Sequence, residues 1–375
     1  MKVIIAAGGT AGHINPGLAI AQYIKSKHPE AEIMFVGRKS GMEYGLVTKA
    51  GYEFCHMEVT GFQRKITPQN IGRNIITVKN LLTAGAKSKK ILKDFKPDIV
   101  IGCGGYVSGP IVLQAAKMGI KTAIHEQNAF PGVTNKILAK NVDTVFLATE
   151  KAKKYLDEKA NIIVCGNPVR MEIQSADSQK AKKELGVEGK TVLLSFGGSL
   201  GAMMVNNRMK SLVLHNRDRK DIVHFHVVGK YDDGDFVKFL NENGIEQSEN
   251  LKVFEYLYDI PKYMAAADII ISRCGALTIA EIGCMGKASI LIPSPNVVRN
   301  HQEQNAREFE KCGAAAVITE AELTPERLYK KLSEMTEDKE GMQKMSENLK
   351  KLARTDALEK LYGLMLKMAD KNGKD

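Results

Sequence analysis

The sequence predicts an α/β fold of two doubly wound domains, and three observations carry that prediction. An uninterrupted apolar run, a glycine turn and a helical stretch follow one another at the start, where KVIIAAGGTAGH (2–13) leads into LAIAQYI. The same design returns about half the chain later in KTVLLSFGGSLGA (190–202). A length of 375 residues is generous for one α/β unit and comfortable for two, each able to bury its own core. An apolar run without alternation is a strand covered on both faces, as in a parallel sheet with helices on either side.

Taken in order, the first half offers further strands at 32–37 (EIMFVG), 98–105 (DIVIGCGG), 121–128 (KTAIHEQN), 144–149 (TVFLAT) and 161–168 (NIIVCGNP). The second adds 222–229 (IVHFHVVG), 251–257 (LKVFEYL), 268–275 (DIIISRCG) and 287–295 (KASILIPSP). Helical segments lie between them. This predicts a domain over 1–165, a second over 166–350, and a basic amphipathic tail over 351–375 that packs back on the first. Ligands of such sheets bind beyond the carboxyl ends of the strands, where each glycine-rich or polar tail falls. The expected site is a cleft between the domains.

The composition is that of an ordinary globular chain, with 44% hydrophobic and 26% charged residues and a mean hydropathy of -0.20. The run beginning at Val3 is broken by Gly8 and Gly9, so the start reads as a strand and not a signal peptide. No window suits a spanning helix, so any membrane contact is expected to be peripheral. The six cysteines show no CxxC pair or zinc spacing and read as reduced, cytosolic and mostly buried. A net charge of +11 asks for an anionic partner. Nucleic acid is not expected, because no zinc-finger, RNP-like or helix-turn-helix signature occurs, tryptophan is absent and aromatics are 6%.

Glycine clusters at 8–12, 104–109 and 197–201 let backbone N–H groups approach a ligand, and each following helix offers its positive end to phosphate. Hydroxyls within them (Thr10, Ser108, Ser199) favour phosphorylated ligands. Neither GxGxxG with a downstream acid nor a GK[ST] loop is present, which disfavours dinucleotide oxidation and P-loop chemistry. His13, at the junction of the first loop and its helix, is either a packing residue or a base for an attacking hydroxyl. His125 and Glu126 form a second polar cluster that could shape the pocket or orient that base. Glu281, in SRCGALTIAEI (272–282), is either a ribose ligand or a solvated helix glutamate. Arg170 is a pyrophosphate clamp or a surface ion-pair partner, and Gln302 with Asn305 binds sugar hydroxyls or caps a helix. Asp233-Gly234-Asp235 reads as a solvated turn, so no metal is expected to be required and no cofactor is expected.

Between Gly61 and Lys96 nine basic residues, Arg73 and Lys79 among them, face a single acid, Asp94. Ile71, Ile75, Val78 and Leu82 follow the spacing of one helical stripe, the pattern of either an interfacial helix on anionic lipid or an ordinary core-packing helix.

Seven strings in order, GGTAGHINP, GCGGYVSGP, HEQN, GNPVR, GGSLGA, SRCGALTIAE and HQEQNA, resemble the MurG family of glycosyltransferases (family 28) over almost the full chain. The resemblance implies the GT-B fold, two Rossmann-like domains facing across a cleft. The first would take acceptor and membrane, and the second UDP-GlcNAc, a substrate and not a cofactor. It implies inverting transfer of GlcNAc to the C4 hydroxyl of a lipid-linked muramyl-pentapeptide, at the cytoplasmic face of an anionic membrane, with other cell-wall synthesis proteins as candidate partners.

By matching motif, Thr10, Ala11, Gly12 and Asn128 would border the donor sugar and phosphates, and Arg170 and Ser199 the diphosphate. Leu257 would lie on the uracil side; Ala276, Leu277, Thr278, Ile279, Ala280 and Glu281 would hold the nucleotide, and Gln302 would reach the sugar. His13 is the implied base, and Gly104, Gly105, Tyr106, Ser108, His125 and Glu126 the acceptor side. Ile71, Arg73, Ile75, Val78, Lys79 and Leu82 would meet the membrane. Leu200, where the family is commonly polar, and the tract PSPNVVRN depart from the pattern. A diacylglycerol glycosyltransferase, a UDP-GlcNAc 2-epimerase and a non-catalytic lipid- or nucleotide-binding subunit are the alternatives.

Overall fold

The computed structural model of the protein describes residues 1–59, 83–198, 200–297 and 300–370. The first compact unit comprises Met1–Met171 with Arg354–Asp375, and the second Glu172–Ala353.

In chain order the first unit carries β1 (Lys2–Ala7), α1 (Ala11–Lys27), β2 (Glu32–Gly37), α2 (Met42–Lys49) and β3 (Glu53–His56). Residues 83–95 are helical (α3). Next come β4 (Ile99–Gly104), α4 (Ser108–Lys117), β5 (Lys121–Glu126), α5 (Val133–Leu138), β6 (Thr144–Leu147) and β7 (Ile162–Val164). After α6 (Met171–Gln174) the second unit runs through α7 (Ser178–Leu185), β8 (Thr191–Phe196), α8 (Met203–Asn216), β9 (Ile222–Val227), α9 (Asp235–Glu242) and β10 (Leu251–Phe254). It continues with α10 (Ile260–Ala266), β11 (Ile269–Ser272), α11 (Ala276–Met285), β12 (Ala288–Leu291), α12 (His301–Lys311), β13 (Ala316–Val317), α13 (Pro325–Glu337) and α14 (Lys339–Leu352). The last helix, α15 (Ala357–Ala369), belongs to the first unit.

Each unit is built on one parallel sheet, ordered β3-β2-β1-β4-β5-β6-β7 and β10-β9-β8-β11-β12-β13. The order reverses between β1 and β4 in the first and between β8 and β11 in the second, which makes both units doubly wound. The apolar runs are uninterrupted because both faces are covered. Val3 and Ile5 of β1 pack toward α1 and α15, whereas Ile4 and Ala6 pack toward α3, α4 and α5. The tail helix α15 buries Leu358, Leu361 and Met365 in the same cluster as Ile20 and Ile24 of α1, with Tyr23 and Tyr362 edge to face at 5.5 Å.

Two strands have no counterpart among the sequence expectations. Both lie at sheet edges: β3 is the half-exposed EFCH, and β13 is two residues long. An edge strand covered on fewer sides loses the uniform apolar signature of a central one.

Candidate functional site

The strands that flank the two reversals, β1, β4, β8 and β11, each lead through a short loop into a helix: α1, α4, α8 and α11. None of these four helices has a side-chain cap hydrogen bond, and none has an acid in its first turn. Their leading N–H groups and the positive end of the helix dipole are left for an anion. By contrast α7, α13 and α14 are capped by Asp177, Thr324 and Asp338.

In the first unit the loops after β1 and β4 interlock. Gly8 N–H donates to the Gly104 carbonyl at 3.3 Å. Gly104 has φ +114°, and a Cβ there would fall 2.5 Å from Cδ2 of His13, so the glycine lets backbone lie flat against the imidazole. His13 Nδ1 is 3.0 Å from the Gly8 carbonyl. A carbonyl only accepts, so Nδ1 carries the proton and Nε2 presents a lone pair. Thr10 and Gly12 are exposed, Ala11 is half-buried, and the Thr10 hydroxyl makes no cap bond.

The second loop divides into an exposed tip and a buried anchor. Tyr106 is exposed and Gly105 half-buried. Ser108 is buried; its Oγ accepts from Gly104 N–H at 3.2 Å and lies 2.9 Å from the Ala6 and Gly104 carbonyls that can take its proton. Its hydroxyl therefore holds the loop together, and Tyr106 is the part that faces solvent.

His125 is fully buried. Its Nε2 donates to the Gly166 carbonyl at 2.9 Å and its Nδ1 accepts from Gln127 at 3.0 Å, which leaves no ring nitrogen for a ligand. Burial pushes its pKa down to about 4, against the Gly166 bond, so the ring is neutral at pH 7. Glu126 is likewise enclosed. Oε1 accepts from the backbone N–H and side-chain amide of Asn128 (2.9 and 3.1 Å), and Oε2 from Gly132 N–H and Asn135 (3.0 and 2.8 Å). Of the two readings of this cluster, the geometry matches the shaping one, since the carboxylate orients the half-exposed Asn128.

The structure adds one charged group that carries no sequence signal. Glu43, on α2, is 0% exposed and accepts from Gly9 N–H (3.3 Å) and Arg38 N–H (3.1 Å), with the Arg38 guanidinium at 3.5 Å. An acid in the first turn of a short helix looks ordinary in the sequence; only the fold turns it under the first glycine loop.

In the second unit the loop after β8 packs on the end of β9, where Gly201 and Gly229 meet backbone to backbone with no room for a Cβ on either. Ser199 lies outside the described residues. Along α11, Ala276, Thr278 and Ala280 are half-buried while Leu277, Ile279 and Glu281 are buried. Glu281 is 8% exposed, which rules out the solvated reading of that residue. Leu257 is half-buried after β10, and Gln302 accepts from Ser294 N–H at 2.9 Å through Oε1, leaving its amide N–H groups to donate. Arg170 is half-buried at the end of the first unit. In the turn before α9, Asp235 pairs with Lys210, and Asp232 accepts from Asn206 (2.9 Å) and Phe236 N–H (2.9 Å). The basic apolar stripe, Ile71, Arg73, Ile75, Val78, Lys79 and Leu82, lies outside the described residues. Among the described residues no helix is long and apolar enough to cross a membrane.

Two doubly wound parallel sheets, each with its switch point between central strands, define an α/β protein of two Rossmann-like units. Residues 3–147 match the glycosyltransferase family 28 N-terminal domain and 192–361 the family 28 C-terminal domain. The chain thus belongs to glycosyltransferase family 28, and it is a glycosyltransferase. Its relatives include proteins named UDP-N-acetylglucosamine–N-acetylmuramyl-(pentapeptide) pyrophosphoryl-undecaprenol N-acetylglucosamine transferase. That of Acetivibrio thermocellus is 42% identical over 97% of each chain. That of Listeria monocytogenes is 42% identical over 98% of this chain and 99% of its own. Among solved structures, MurG of Acinetobacter baumannii is 26% identical with a TM-score of 0.70, over 98% of this chain and 99% of that one. A UDP-GlcNAc 2-epimerase of Neisseria meningitidis, 14% identical with a TM-score of 0.68 over 98% of this chain and 100% of its own, shares the fold alone.

Proposed function

We propose that this chain transfers N-acetylglucosamine from UDP-GlcNAc to the C4 hydroxyl of an N-acetylmuramyl-pentapeptide carried on pyrophosphoryl-undecaprenol. The observation that carries the reading is His13. Its Nδ1 is committed to the Gly8 carbonyl, and its Nε2 is the basic atom, beside the open N-terminus of α1. The relatives' names supply the substrates.

The reaction is a single displacement. The acceptor C4 oxygen forms a bond to the anomeric carbon and gives its proton to His13 Nε2. The bond from that carbon to the UDP oxygen breaks, and both its electrons leave with UDP. Attack from the face opposite the leaving group turns an α-linked donor into a β-linked product. The negative charge growing on the diphosphate is met by fixed dipoles at the starts of α8 and α11 and by Arg170, with Ser199 and Gln302 as further donor contacts. We propose that this array suffices without a metal ion. Glu281 takes the ribose hydroxyls, Leu257 lies beside the uracil, Asn128 holds the acetamido sugar, and Tyr106 borders the acceptor. The basic stripe between 61 and 96 holds the chain to the anionic membrane that carries the acceptor.

The test is transfer of labelled sugar in EDTA to the muramyl lipid, with UDP-glucose and diacylglycerol as competing substrates. Transfer of GlcNAc to the muramyl lipid supports donor, acceptor and metal independence together. Activity on diacylglycerol alone overturns the acceptor, activity only without EDTA overturns metal independence, and epimerised UDP-GlcNAc without transfer overturns the reaction.

A further inference from the structure

We propose that Glu43 is a positioning residue for the reaction, acting on His13 through the single peptide group that joins Gly8 to Gly9. The carbonyl of that peptide accepts the Nδ1 proton of His13 at 3.0 Å, and its N–H donates to Oε2 of Glu43 at 3.3 Å. The order of groups is carboxylate, amide N–H, amide carbonyl, imidazole N–H. A carboxylate that accepts from one end of an amide polarises it, so the carbonyl at the other end becomes a stronger acceptor. The amide thus relays part of the negative charge of Glu43 to His13. This fixes the ring in the tautomer that leaves Nε2 basic, and it stabilises the imidazolium formed when Nε2 takes the acceptor proton. The inference rests on the reading of His13 as the base.

The surroundings show the arrangement is built. Glu43 is 0% exposed, and its other oxygen accepts from Arg38 N–H at 3.1 Å with the Arg38 guanidinium at 3.5 Å, so the charge is compensated. A Cβ at Gly8 would fall 2.8 Å from Oε1 of Glu43, so a glycine is what lets the carboxylate reach the loop. Of the elements packed on His13, the loop after β1 brings no charge of its own. The loop after β4 brings the Gly104 backbone, with Tyr106 its titratable member, and α2 brings Glu43 with Arg38 behind it.

The test uses the full chain with Glu43→Gln, which keeps size and acceptor oxygen but removes the charge, beside Glu43→Asp, Arg38→Gln and His13→Ala. Two readouts are taken: the imidazole titration of His13 by NMR, and kcat for GlcNAc transfer against pH. Removing the negative charge weakens the carbonyl as an acceptor of the Nδ1 proton, and the NMR titration of His13 is expected to move to lower pH. The acid limb of kcat then moves to lower pH while the plateau falls about tenfold, with KM for UDP-GlcNAc unchanged. Glu43→Asp restores the position of the limb. Arg38→Gln, at a residue one-third exposed, leaves the buried carboxylate in place and moves the titration upward. Adding Glu43→Gln to His13→Ala costs nothing further. A His13 titration unmoved by either Glu43→Gln or Arg38→Gln, or losses at positions 43 and 13 that multiply, overturns the proposal and leaves Glu43 a loop prop. If the wild-type chain transfers no GlcNAc, the functional reading fails by itself, and the NMR titration still decides whether Glu43 and His13 are coupled.

Discussion

Histidine occurs in opposite settings in this chain. His13 is half-buried beside a glycine loop with Nδ1 on the Gly8 carbonyl, whereas His125, His224 and His226 are buried and held neutral. Ser195 Oγ lies 2.7 Å from both His224 Nε2 and His226 Nδ1 in the second unit. Burial lowers the pKa of His125 and of His224 to about 4, and that of His226 well below its ordinary value. Because these folded values lie below the unfolded one near 6.5, the unfolded chain binds more protons in acid. Stability is full above about pH 6.5 and is lost as pH falls from there toward 4. The rings of His125 and His224 each contribute on the order of a few kcal/mol to that loss, and His226 adds to it in the same direction. Thermal midpoints taken between pH 7 and 4 should fall steeply, and His224→Gln should lessen the fall of the second unit, with the share of His226 remaining. A second residue-scale expectation concerns Gly104. With φ +114° and the His13 ring against it, Gly104→Ala should lower transfer at least tenfold and stability by about 1–3 kcal/mol, read from kcat and unfolding on one preparation. His13 and the glycine loops were legible in the sequence because a close backbone approach demands glycine. Glu43 and the enclosed carboxylate of Glu126 were not, since their meaning comes from which loop each lies under.

At the scale of elements, central strands announced themselves by unbroken apolar runs; of the four edge strands, β7 and β10 were legible too, while the half-exposed β3 and the two-residue β13 were not. Side chains cap α7, α13 and α14, whereas α1, α4, α8 and α11 at the switch points are left without a cap, as are α2, α5, α9, α10, α12 and α15. A missing cap costs about 1 kcal/mol per helix, and in the proposed reading the donor diphosphate takes the place of the cap on α11. Ala276→Asp puts a carboxylate in the first turn of α11. The expected result is unchanged or slightly raised thermal stability together with UDP affinity reduced at least tenfold by calorimetry. An unaltered UDP affinity would show that the start of α11 is not where the diphosphate binds.

For the whole molecule, the two halves repeat one design, and the chain returns at its end to complete the first. Leu358, Leu361 and Met365 of α15 are fully buried against the first unit, so removing residues 354–375 should cost on the order of 5 kcal/mol there. Unfolding of the truncated chain should show the first unit melting well before the second. The net charge of +11, concentrated before Lys96, sets the expected behaviour at a surface. Binding to vesicles containing anionic lipid should weaken severalfold between low and physiological salt, and Arg73→Glu with Lys79→Glu should abolish most of it.

In the proposed reaction His13 removes the proton of an attacking muramyl hydroxyl while other residues hold the donor. The measurement that tests it most directly compares wild type and His13→Gln for GlcNAc transfer to the muramyl lipid, with UDP-GlcNAc affinity measured on both. Wild type is expected to give a β-linked product. The variant should bind the donor within threefold of wild type and transfer it at least a hundredfold more slowly. Equal loss of affinity and rate, or a variant as fast as wild type, would contradict it.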